Sequence, residues 1–275
     1  MFYVLSGDKT LKASCLKTIK KNRVVVGDNV TIKKDEYSDD KYIITSVLPR
    51  KNEIPRPRVA NIDMLAIVIA PIPKPDLYLV DKLLIYCDNL KIEPILVINK
   101  MDLSNDEFIK DIHSQYPFLQ IFEISTKLGA GLTDFQKYIS NSIVAVCGQS
   151  AVGKSSLINT LIPDAELETQ GLSAKISRGK HTTRVNQIFV KNDIMIVDTP
   201  GFSSLDLEID YKDLSKYYPE FEPYLDNCKY LDCSHIKEGN CCGVYNALGK
   251  INKDRYLRYV DLYNKLKEKW EKKYD

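Results

Sequence analysis

The sequence predicts a multi-domain chain: a small N-terminal all-β, OB-like barrel, a central α/β domain on a mostly parallel sheet, and a C-terminal helical module rich in cysteine. Three observations predict it. Residues before 60 carry β-branched runs and turns with no helical period, and residues after 60 alternate strand-sized apolar runs with helix-length segments. Four cysteines, Cys228, Cys233, Cys241 and Cys242, then crowd one short stretch. At about 150 residues per domain, 275 residues make two domains, or three if one is small. The expected boundaries are 1–58, 59–205 and 206–275.

In the first module, 23–26 and 30–33 flank a Gly27-Asp28-Asn29 turn, and 42–48 is a further strand. Pro49, Pro55 and Pro57, interleaved with Arg50, Lys51, Arg56 and Arg58, predict an extended linker, because proline restricts itself and the residue before it. Beyond it, 65–70, 95–98, 121–124 and 143–147 are apolar strands. Between the first two, Leu77, Val80, Leu84 and Cys87 recur at helical spacing over 76–90. Segments 187–190 and 194–197 form a hairpin turned at Lys191-Asn192-Asp193. In the tail, Tyr259, Tyr263, Leu266 and Trp270 recur at steps of four, three and four, the stripe of an amphipathic helix packed on the rest of the chain.

Composition excludes several classes. With 44% apolar and 28% charged residues the chain is neither disordered nor fibrous. No apolar run approaches the roughly 18 residues of a membrane helix. Lys9, Lys12, Lys17 and Lys20 interrupt the first twenty residues where an export signal would need an apolar block, so a cytoplasmic protein with no membrane partner is expected. The net charge of +2 hides a division: residues 1–60 hold 13 basic and 7 acidic side chains, residues 61–242 hold 17 and 25, and residues 243–275 hold 9 and 5. Basic ends around an acidic middle suit a polyanion gripped at both ends.

The chemistry lies where the strands end, as expected of a parallel sheet. Gly148-Gln149-Ser150-Ala151-Val152-Gly153-Lys154-Ser155 fits G-x-x-x-x-G-K-[ST] between a strand and a helical segment opening at Ser156. Such a loop wraps backbone N–H groups and a helix N-terminus around phosphates; Lys154 neutralises their charge and Ser155 can ligate Mg²⁺. Asp198-Thr199-Pro200-Gly201 follows another strand, with Asp198 suited to the magnesium shell and the Gly201 N–H to the γ-phosphate. Asn99-Lys100-Met101-Asp102 and Ser125-Thr126-Lys127 follow two more. A carboxylate at 102 can accept both N1–H and the exocyclic amine of guanine, a pair adenine lacks.

These four elements resemble the guanine-nucleotide signature of P-loop GTPases, but with the guanine loops ahead of the phosphate loop. A circular permutation accounts for the order, since a compact domain can join its old ends and open elsewhere. That order, the N-terminal β module with its Val24-Val25-Val26-Gly27-Asp28-Asn29-Val30 stretch and the C-terminal cysteine cluster resemble the RsgA (YjeQ) family of ribosome-associated, circularly permuted GTPases over essentially the whole chain. The resemblance implies hydrolysis of GTP to GDP and phosphate late in assembly of the small ribosomal subunit, stimulated by it. It also implies an OB fold on small-subunit rRNA, with Lys17, Lys20, Lys21 and Arg23 as basic contacts and few aromatics (Phe2, Tyr3, Tyr37, Tyr42) to stack on bases. A monomer is expected.

Between the phosphate loop and Asp198 lies Ser177-Arg178-Gly179-Lys180-His181-Thr182-Thr183-Arg184, a candidate switch held by the γ-phosphate. Thr183, favoured over Thr182 by analogy with related Thr-Arg motifs, would complete the magnesium shell. Phe202 stands where Ras-type GTPases carry a water-positioning glutamine, and the resemblance offers His181 for that task. Cys228, Cys233, His235 and a cysteine at 241 or 242 make a closed, soft, tetrahedral set suited to one structural Zn²⁺; family spacing favours Cys241. Two other readings are a nucleotide-gated RNA-binding module with incidental hydrolysis and an adenine-nucleotide enzyme, the latter disfavoured by Asp102.

Overall fold

The computed structural model describes residues 1–7, 9–16, 18–19, 24–35, 41–55, 58–165, 167, 188–198, 206–236 and 239–274. The N-terminal strands β1 (Phe2–Ser6), β2 (Lys9–Cys15), β3 (Val30–Lys34) and β4 (Tyr42–Val47) form a mixed sheet of order β1-β2-β4-β3. Period-two alternation turns Ala13 and Ile44 inward and leaves Tyr3, Leu5 and Lys12 outward. Among the described residues β1 and β3 are its edges, so the strands describe an open sheet. Val24 and Val25 are not in a strand, and Val26 makes one bridge, to Val59; Arg23, like Lys17, Lys20 and Lys21, lies outside the described residues.

The expected linker folds. β5 (Glu53–Pro55) and β6 (Arg58–Ala60) pair as a ribbon whose Ile54 and Val59 are wholly buried against the central core. Pro55 is tolerated because it closes a strand, and Pro49 lies outside one; Pro57 falls outside the described residues. Gly27, at φ +86°, carries this junction, because a Cβ there would stand 2.0 Å from the Ala60 carbonyl oxygen. Beside it Arg50 donates to both oxygens of Asp28, whose side chain is buried, at 2.6 and 2.9 Å, and Asn61 donates to the Gly27 carbonyl at 2.8 Å.

The central sheet contains β7 (Met64–Ile69), β8 (Glu93–Ile98), β9 (Gln120–Glu123), β10 (Ile143–Cys147), β11 (Ile188–Lys191) and β12 (Ile194–Asp198) in the order β11-β12-β10-β7-β8-β9. Only β11 runs antiparallel. Leu65, Ile67 and Ile69 face α1 (Leu77–Leu90) and α2 (Asp106–Gln115); Ala66 and Val68 face α3 (Leu132–Ile139) and α4 (Lys154–Leu161). From the adjacent central strands β7 and β10 the chain departs in opposite directions, which opens a crevice between their carboxyl ends.

The C-terminal part packs short turns, α5 (Glu222–Leu225) and α6 (Gly243–Asn246) against α7 (Lys253–Tyr274). Of the predicted tail stripe, Tyr259 and Leu266 are buried and Tyr263 partly so, whereas Trp270 stays exposed, edge-on to Tyr211 at 5.8 Å. Sequence reading missed the ionic joint to α1. Arg255, 2% exposed, pairs with Asp81 and Glu220 while three rings, Tyr116, Phe118 and Tyr218, surround its guanidinium at 4.8–4.9 Å. Burial opposes the charge, but the two carboxylates outweigh it and raise the Arg255 pKa.

Candidate nucleotide site and cysteine–histidine centre

Among the described residues, four loops and the end of β12 gather at the carboxyl end of the central sheet. The phosphate loop leaves β10 and enters α4 at Lys154. Gly153 (φ +98°) sits so close to the guanine loop that a Cβ would meet Asn99 Nδ2 at 2.3 Å. Asn99, fully buried, ties the loops together: Nδ2 donates to the Val152 carbonyl at 3.0 Å, and Oδ1 accepts from the Thr126 N–H at 3.2 Å. Lys100 Nζ donates to the carbonyls of Ala151 (2.7 Å) and Ile72 (2.9 Å), Ile72 lying in the loop after β7. Gln149 reaches that same loop, accepting from the Asp76 N–H at 2.6 Å and donating to the Lys74 carbonyl at 3.0 Å.

The carboxylate of Asp102 is set by its neighbours. Ser125 donates to Oδ1 at 2.7 Å and Lys127 Nζ lies 3.8 Å from Oδ2. The Ser125 hydrogen bond, helped by the two lysines, holds this carboxyl below its ordinary pKa, so it stands ionised as an acceptor pair. Met101 packs on the core beneath, and its N–H bonds the Ile124 carbonyl at 3.1 Å. Lys154 donates to the carbonyls of Gly148 (2.9 Å) and Gln149 (2.7 Å). Burial lowers its pKa, and the nearby Asp198 carboxylate opposes that. Ser150, Ser155 and Ser156 complete the loop and the first turn of α4, and Asp198 ends β12 in register with Val146 on the phosphate-loop strand. Thr182, Thr183, His181, Gly201 and Phe202 lie outside the described residues.

In the C-terminal part, Cys228 Sγ, Cys233 Sγ, Cys242 Sγ and a ring nitrogen of His235 all fall within 4.8 Å of one another. His235 Nδ1 lies 3.5 Å from the sulfurs of Cys228 and Cys242. This corrects the choice of Cys241. Cys241 closes a short turn, its carbonyl accepting from the Lys229 N–H at 2.9 Å, whereas Cys242 caps α6 and its sulfur accepts from the Tyr245 N–H at 3.2 Å. Adjacent side chains leave the backbone in different directions, and the cap turns the second one inward.

The set fits a thiophilic metal ion. Gly243 N–H points at Cys228 Sγ (3.3 Å), so two of the sulfurs already receive backbone donors suited to thiolates. Tyr256 OH and Tyr259 OH brace the His235 and Ser234 carbonyls, both at 2.8 Å. Burial pushes the Cys233 thiol up to about 12, a protonation a bound cation would reverse.

Comparison with known proteins agrees with this layout. The family model for the RsgA GTPase matches residues 47–208. A relative named small ribosomal subunit biogenesis GTPase RsgA, from Phytoplasma australiense, is 36% identical over 98% of this chain and 94% of its own. The chain belongs to the RsgA GTPase family. Among solved structures, YjeQ from Thermotoga maritima matches 94% of this chain and 90% of its own at 31% identity and TM-score 0.75. YloQ, described as a circularly permuted GTPase, matches 97% and 91% at 26% identity and TM-score 0.77. In this chain β8 and β9, whose ends carry the 99–102 and 125–127 loops, likewise precede β10 and the phosphate loop. Among the described residues, no helix is long and apolar enough to cross a membrane.

Proposed function

We propose that the chain hydrolyses GTP to GDP and phosphate and that it acts as a late maturation factor of the small ribosomal subunit. The observation that carries this reading is the meeting, at one sheet end, of an ionised Asp102 with the loop around Lys154. One end of the site suits guanine and the other suits phosphates. Asp102 accepts from the base while Ser125 fixes its oxygen; Asn99, Lys100, Met101, Thr126 and Lys127 frame the ring. The N–H groups of residues 148–156 and the Lys154 ammonium bind the phosphates, and the Gly201 N–H reaches the γ-phosphate.

Ser155, Thr183 and Asp198 would hold Mg²⁺, which neutralises charge on the β- and γ-phosphate oxygens. His181 orients the attacking water, whose oxygen bonds to the γ-phosphorus as the bond to the β-phosphate oxygen breaks and GDP departs. The names borne by the relatives support the ribosomal role. For the N-terminal sheet we propose an OB-like module that grips rRNA through its phosphates, with Lys17, Lys20, Lys21 and Arg23 as contacts. In the C-terminal module, Cys228, Cys233, His235 and Cys242 would hold one structural Zn²⁺. The protein is proposed to be a cytoplasmic monomer with boundaries near residues 58 and 205.

Calorimetry with GDP and ADP tests the base reading: GDP binds and ADP does not, and equal heats overturn it. Phosphate release with and without small subunits tests the role, with strong stimulation expected. Absence of stimulation favours the reading Phe202 keeps open, a nucleotide-gated RNA-binding module. Single-turnover hydrolysis by His181→Ala on subunits is expected to be slow; an unchanged rate removes His181 from catalysis.

A further inference from the structure

The loop after β7, residues 70–76, belongs to none of the motifs that frame a nucleotide, yet two of their side chains are spent on it. Gln149 makes a double hydrogen bond there, to the Asp76 N–H and the Lys74 carbonyl. Lys100 bridges the Ile72 carbonyl of the same loop to the Ala151 carbonyl of the phosphate loop. Ala151 is a non-glycine residue at φ +66°, a conformation of modest cost that its surroundings must maintain. Asp76 has a second task, since its carboxylate caps α1 by accepting from the Leu79 N–H at 3.0 Å.

We infer that Gln149 is a positioning residue for nucleotide retention, its carboxamide clamping the 70–76 loop so that the Ile72 carbonyl can hold Lys100 between the guanine loop and the phosphate loop. The side chain of Gln149 is engaged on the protein on both its donor and its acceptor side, so its help to the phosphates comes through its backbone. Lys100 has three ammonium hydrogens and two carbonyl partners in different loops. Removing the clamp frees one partner, and Lys100 then holds to Ala151 alone. The guanine end and the phosphate end of the site lose a cross-link that acts on GDP and GTP alike, because neither contact involves the γ-phosphate position. The loss therefore falls on the binding of both nucleotides.

This inference rests on the guanine-nucleotide reading of the site. Release of fluorescent GDP and GTP analogues is measured for the natural chain, Gln149→Ala, Gln149→Glu, Lys100→Met and the double variant Lys100→Met/Gln149→Ala, with thermal melting as a check on folding. Two lost hydrogen bonds predict about five- to twentyfold faster release of both nucleotides from Gln149→Ala. Gln149→Glu, which keeps the acceptor for the Asp76 N–H, recovers part of the loss. The double variant releases no faster than Lys100→Met, because the two side chains act in series. Unchanged release from Gln149→Ala at an unchanged melting temperature overturns the inference, as does a double variant whose effect is the product of the singles. A natural chain that retains no GDP would overturn the underlying reading as well.

Discussion

The nucleotide end of the sheet and the cysteine–histidine centre are built by opposite logics. In the phosphate loop every position follows from the chain itself: a strand ends, a helix begins, and residues 148–155 must wrap between them. In the metal-suited centre the ligands come from separate turns, and only three-dimensional convergence chooses among neighbours. A contiguous motif therefore names its residues outright, whereas a dispersed one can miss by a single position, as at Cys241 and Cys242. The same contrast separates how each is held. Backbone carbonyls and N–H groups brace the nucleotide loops, while the C-terminal module is moored to α1 by the buried Arg255–Asp81 pair.

The sharpest break in that comparison is Cys242→Ser against Cys241→Ser. The first is expected to remove bound zinc and unfold the C-terminal module, since metal binding and folding are one equilibrium in such sites, and the second to leave zinc content and melting temperature unchanged. Elemental analysis with thermal melts decides it, and the reverse pattern would restore Cys241. Next in size, Arg255→Ala takes from the buried Glu220 carboxylate its arginine partner and leaves Asp81 with Arg258 and the Tyr116 hydroxyl; it is expected to cost about 3–5 kcal/mol in urea denaturation. The rate of GDP release should barely change, because the nucleotide loops are braced independently.

Asp102→Ala inverts that result. The fold stays intact while GDP affinity drops by about a hundredfold or more in calorimetry, because the base loses its paired acceptor. The smallest effect is on pH dependence. The Ser125 hydrogen bond lowers the Asp102 pKa, so the ionised acceptor is present above the ordinary carboxyl value of about 3.9 and is lost only as pH falls through the lowered one. GDP affinity should thus be flat from about pH 7 to pH 5, and Ser125→Ala should move the acid fall-off upward.

Much of this molecule was legible because period and motif coincide with physical necessity. Strand 143–147 and the Tyr259–Leu266 part of the tail stripe match the buried face that apolar spacing reports, while Trp270, a turn further on, stays exposed. Strands β1 and β2 escaped notice because their outward positions, Tyr3 and Leu5 included, mix apolar with basic residues and blur the alternation. The ribbon β5–β6 hid behind its prolines, whose effect on the backbone reads as a linker until Ile54 and Val59 are seen to be buried. The phosphate-loop motif names Gln149 but not the partners of its side chain, and nothing marks Arg255, since each side chain matters through a residue far along the chain, which one sequence cannot pair.

The burial of Ile54 has a practical corollary for anyone wishing to cut the molecule apart. A fragment begun at residue 59 would discard an isoleucine that plugs the floor of the catalytic unit, together with the strand that pairs with Arg58, Val59 and Ala60. Such a fragment would expose a greasy socket and clump, whereas one begun just ahead of Arg50 keeps the plug and the whole β5–β6 ribbon.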